Sequence, residues 1–213
     1  KQTGGIDTKR TIQPKKGAKD RGKTISDVTL IANGKPYYLS IKHKTGDNIY
    51  NGGSVSSIKF NSKTNQIDFD ESKFNSDELK SSIFDMFGID PKKVVQGLNN
   101  YINDVGEEPQ WEDIDIEKDK VKKLIASAID YGYYYVREEG DGVKVINLES
   151  AEDVNKLIGD IEKATNKYPG KGVKSNYARI YLEDSLQGLK YIEVQIRNAR
   201  GGIGSPSIKI LTK

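Results

Sequence analysis

The chain has no cysteine and a single histidine. Disulfides and thiolate metal sites are therefore excluded, as are zinc centres built from several imidazoles. Absence of cysteine fits an intracellular, cytoplasmic setting. No apolar run approaches the ~20 residues that span a bilayer as a helix, and no signal-peptide apolar segment is present. A soluble protein is expected. The first residue is lysine, and an upstream region is expected to have been removed. No internal repeat, heptad run or long low-complexity tract occurs.

What is present is charge, unevenly spread. The 213 residues are 31% charged and 35% hydrophobic, with a net charge of +3. That small sum conceals three regimes. Residues 1–64 hold 13 Lys/Arg against 4 Asp/Glu, residues 65–130 hold 8 against 16, and residues 131–213 hold 13 against 11. A basic first third suits a polyanion, and its densest part, which includes Lys19, Arg21 and Lys23, reads as an arm over residues 1–25. An ordinary basic tail would look the same.

Ser26 to Lys44 reads as a β-hairpin, because Asn33-Gly34 is a type I′ turn signal between two β-rich runs. With that turn, Ala32 pairs with Lys35, and Asp27 falls opposite Ser40. Lys42 follows two residues along the same face. A carboxylate, a hydroxyl and an ammonium then share one side, with Val28, Leu39 and Ile41 expected to face the core. A solvated strand face with a turn-capping Asp is the plainer reading.

This pattern resembles the PD-(D/E)xK, or restriction-endonuclease-like, nuclease superfamily in a phage-type Ser-x-Lys version. Ser40-Ile41-Lys42 would be the acid-x-Lys element, with serine in place of the acid. The resemblance implies an α+β fold with a central mixed sheet flanked by helices, and metal-dependent hydrolysis of DNA in a phage-infected bacterium. It also implies Asp27 and the Ile41 main-chain carbonyl as metal ligands, Ser40 as a weak ligand or water-positioning hydroxyl, and Lys42 as the catalytic cation. Oxygen ligands point to Mg²⁺ or Mn²⁺. The second carboxylate is unassigned. Asp47, Asp77, Glu78, Glu193 or a residue of a second subunit in a homodimer could supply it. A non-catalytic nucleic-acid-binding module, or a phage interaction component, is the alternative.

The loop-like composition of Lys44 to Ser54 places Lys44 and Asp47 beside the hairpin. Residues 74–130 read as an acidic helical elaboration. Helices are expected over Ser76 to Phe87 (with an Asn75/Glu78 capping box), from Pro91, up to Asp130, and from Ser150 through Ile161. Strands are expected at 55–60, 66–69, 133–137, 143–147, 177–183, 189–197 and 208–211, all in one domain. Tyr131 and Tyr133 to Tyr135 could stack bases. In Tyr191 to Gly202, Ile192, Val194 and Ile196 alternate against Glu193, Gln195 and Arg197. Arg197, Asn198 and Arg200 would then meet phosphates or base edges in the following loop. The open alternatives here are a Glu193–Arg197 pair and a variant acid-x-Gln site with Asp184.

Overall fold

The computed structural model describes residues 26–42, 47–186, 189–198 and 203–213. Lys19, Arg21, Lys23, Lys44 and Arg200 lie outside the described residues, as does His43. Among the described residues no helix is long and apolar enough to cross a membrane.

The architecture is α+β, with two principal sheets. The first begins with β1 (Val28–Ala32) and β2 (Lys35–Lys42). Asn33 at φ 53° and Gly34 at φ 73° supply the two left-handed residues of a type I′ turn. The register is Ala32 opposite Lys35 and Val28 opposite Leu39, as the turn dictates. Strand β7 (Tyr133–Glu139) then lies parallel to β2, and β8 (Gly142–Leu148) closes the sheet in the order β1-β2-β7-β8.

The buried face of this sheet is the reverse of the one expected. Ser40 is 2% exposed and Tyr38 packs on the core, whereas Ile41 is 52% and Val28 38% exposed. The cause lies in β7 and β8. Tyr133 and Tyr135 stand beside Tyr38 and Ser40, and Ile146 and Leu148 continue the same face inward. Bulk supplied by the tyrosines outweighs the aliphatic alternation of β2 itself.

The second sheet has the order β3-β12-β11-β10-β9-β6 and is wholly antiparallel. Its members are β3 (Asp47–Ser54), β6 (Glu112–Asp113), β9 (Asp160–Lys167), β10 (Asn176–Glu183), β11 (Tyr191–Arg197) and β12 (Ser207–Thr212). Two of these correct the sequence reading. Residues 47–54 form a strand rather than a loop, because β12 offers them a ladder; two register shifts accommodate the irregular stretch that contains Gly52 and Gly53. Ile161 belongs to β9 rather than to the helix before it, since Gly159 at φ 73° ends that helix. A small hairpin, β4 (Ile58–Asn61) with β5 (Gln66–Phe69), completes the strands.

The helices are α1 (Glu71–Ser76), α2 (Glu78–Met86), α3 (Pro91–Asn103), α4 (Lys118–Ile129) and α5 (Ala151–Ile158). Asp70 and Asp77 cap α1 and α2 by accepting from the Lys73 and Lys80 backbone N–H groups, so the expected Asn75/Glu78 capping box is not used. Asp90 caps α3 just before Pro91, and Asp104 ends it in the left-handed region. Ser150 and Asp153 form a capping box on α5. Helix α4 packs on α5 and β3, and α5 on β8. One hydrophobic cluster runs through both sheets and these helices, with Phe74 edge-on to Phe84 at 5.0 Å. The helices of residues 74–130 thus share the main core.

Candidate active site at the hairpin

The turn geometry fixes where the hairpin's polar groups meet. The Asp27 N–H donates to the Leu39 carbonyl at 2.8 Å, extending the ladder one step past β1 and setting Asp27 beside Ser40. Oδ2 of Asp27 accepts from the Ser40 hydroxyl at 3.2 Å and from the Ile41 N–H at 2.9 Å. Both contacts fall on one oxygen. Among the described residues Oδ1 has no partner, and the residue is exposed.

The parallel strand extends this set. Lys42 is in register with Arg137, and Arg137 with Lys144 on β8, so three cations form a row at the end of the sheet. Arg137 is half-buried, and its Nε is buried without a hydrogen-bond partner among the described residues. Arg137 was not singled out from the sequence. Its signal is the Tyr133-Tyr135-Arg137 alternation, which becomes informative only once β7 is known to pair with β2.

Glu193 does not join Asp27. It sits on the other sheet, 1% exposed, on the open polar face of β11. Its Oε1 accepts from Gln195 at 2.6 Å and Lys213 at 3.0 Å, and its Oε2 from Arg179 at 3.1 Å. Burial pushes its carboxyl pKa up, but the hydrogen bonds from Gln195, Lys213 and Arg179 outweigh this and hold it below the ordinary glutamate value. Both oxygens are already taken by donors, two of them cationic, which opposes a second-carboxylate role. The expected alternative pairing with Arg197 is replaced by Arg179 and Lys213.

The other candidates are also placed. Asp77 caps α2 and Glu78 opens it. Asp47 opens β3, opposite Thr212. Asp184 sits in the left-handed region after β10. Arg197 ends β11, and the Asn198 side-chain amide donates to the Lys174 carbonyl at 2.7 Å. Tyr133 is core, donating to the Ile129 carbonyl at 2.8 Å, and Tyr135 is buried with it. Only Tyr131 and Tyr134 of that cluster keep exposed surface. Among the described residues, no group of three acidic or histidine side chains is arranged to hold a metal ion.

In comparisons with known proteins, no family model, curated protein or solved structure matches this chain.

Proposed function

We propose that the hairpin is the active centre of a metal-dependent nuclease that hydrolyses DNA phosphodiester bonds. The observation that carries this reading is the Asp27 carboxylate. One oxygen is tethered by the Ser40 hydroxyl and the Ile41 N–H, the other has no partner among the described residues, and Lys42, two positions on from Ser40, is in register with Arg137. A mixed sheet whose hairpin is joined by a parallel crossover strand is also the arrangement expected of a restriction-endonuclease-like core.

The donor set fits a hard divalent cation. Mg²⁺ commonly takes one or two protein carboxylates and completes its shell with water and substrate phosphate. Asp27 would hold it, together with the Ile41 carbonyl. Such a cation neutralises phosphate charge and renders water nucleophilic near neutral pH. Ser40 fixes the carboxylate's orientation. Lys42 positions the attacking water and balances charge that develops on the phosphorane oxygens. Arg137, in register with Lys42, adds positive charge on the same side of the sheet.

A second reading, DNA binding without cleavage, is favoured by the lack, among the described residues, of a group of three acidic or histidine side chains that could hold a metal ion. Supercoiled plasmid with Mg²⁺ or Mn²⁺ separates the two. Nicking is expected from the parent protein and lost in Asp27→Ala and Lys42→Ala. Equal nicking by all three proteins would remove the chemistry from the hairpin. Binding that survives Asp27→Ala, with no metal-dependent nicking in any of them, would leave the binding module.

A further inference from the structure

The open face of the six-stranded sheet carries a second, independently built site. A pocket of about 620 Å³ is bounded by β9, β10, β11, the Gly172–Lys174 loop, Tyr101 and Trp111. Strand alternation explains its chemistry. Ala178, Ile180, Ile192 and Val194 turn into the core, so Tyr177, Arg179, Glu193 and Gln195 turn out together.

These side chains form a layered stack. The Arg179 guanidinium lies 4.1 Å from the Trp111 ring centroid and 4.9 Å from that of Tyr191. Tyr191 meets Tyr181 at 5.8 Å, and Lys163 lies over Tyr181 at 5.3 Å. Buried Glu193 fixes Arg179 from below, so the guanidinium is held in place before any ligand arrives. Trp111 remains 38% exposed at the mouth. Around it stand the cations Lys167, Lys174 and Lys213. Lys213 is tied to Glu193, and Lys167 to Glu108 at 3.1 Å, while Lys174 is exposed at the rim.

We infer that this pocket binds a nucleotide unit, its base stacked on the exposed side of Trp111 and its phosphate drawn to Lys174 and the neighbouring cations. A pre-fixed aromatic–guanidinium stack bordered by ammonium groups is the composition of a single-strand stacking platform. The same chemistry is offered by a free mononucleotide and by a nucleotide within a strand. The site shares no side chain with the hairpin, and the inference does not depend on cleavage.

The chain has one tryptophan, so its fluorescence reports this site alone. Full-length protein is titrated in EDTA with oligo(dT), with dTMP and with heparin, a polyanion that has no bases. Oligo(dT) is expected to quench Trp111, and the Asp27→Ala variant should respond equally, which separates this site from the proposed active centre. Quenching by oligo(dT) but not by dTMP assigns the strand as the source; comparable quenching by both assigns free nucleotide. With a labelled oligonucleotide read by anisotropy, Trp111→Ala is expected to bind about tenfold to a hundredfold more weakly. Lys174→Glu, at an exposed position that folding tolerates, should flatten the logarithmic salt slope by about 0.7. No quenching by either nucleotide ligand overturns the inference. So does a Trp111→Ala protein that binds like the parent, or quenching that heparin reproduces.

Discussion

Glu193→Gln preserves the volume of the side chain and removes only its charge and one acceptor. In the folded protein that acceptor set faces Arg179, Lys213 and Gln195, so the amide would present an N–H₂ group toward a donor and leave two cations without their counter-ion. Breaking a fully buried pair costs about 3–5 kcal/mol. Here Arg179 and Lys213 are 30% and 32% exposed, so solvent screens part of the loss and about 2 kcal/mol is expected. For a domain of this size that corresponds to a Tm lower by roughly 4–8 °C at neutral pH. The sign of the pH dependence is fixed by the direction of the shift. A carboxyl held below its unfolded value stabilises the fold above about pH 4.3, the unfolded glutamate value, and loses that contribution as pH falls through the folded value. The gap between parent and variant should therefore be full at neutral pH and close in acid. Thermal melts of both proteins over a pH series measure it. Equal Tm values at pH 7, or a gap that persists unchanged into acid, would refute the account of Glu193 as an internal counter-ion.

Two further substitutions probe packing and metal binding. A Cβ on Gly97 would stand 2.1 Å from the Pro169 carbonyl oxygen, a backbone atom; Gly97→Ala is expected to destabilise by about 1–3 kcal/mol despite the better helix propensity of alanine, and an unchanged denaturant midpoint would disprove that close approach. Ser40→Glu introduces an acid into the hairpin at a position only 2% exposed, beside Asp27. Its Tm should fall in EDTA and recover as Mg²⁺ is added, by mass action on the native state; a Tm indifferent to Mg²⁺ would count against a cation at Asp27.

The hairpin register was legible because two residues, Asn33 and Gly34, determine it locally. Which face of β2 goes inward was not, since Leu39 and Ile41 alternate as plausibly as Tyr38 and Ser40, and tyrosines far along the chain decide between them. Similarly, the composition of Asp47–Ser54 reads as loop, and only pairing with β12 makes it a strand. The outward alternation of Glu193 and Gln195 could be read from β11 alone. Its partners Arg179 and Lys213 come from neighbouring strands, and Trp111 comes from a connector that sequence marks only as acidic. Local chemistry was readable, while long-range apposition was not.

The parallel β2–β7 pair also governs when the protein's parts can come into being. Ser40 and Tyr135 are neighbours in the sheet but are separated by about 95 residues, a span whose closure entropy has to be met before the pair is rewarded. During synthesis, β1 and β2 emerge before β7, as a two-stranded ribbon that is marginal on its own in water. Lys42 has no row of cations to join until β7 leaves the ribosome. The hairpin's polar set is thus assembled in two stages: Asp27 and Lys42 are synthesised about 95 residues ahead of the strand that completes their sheet.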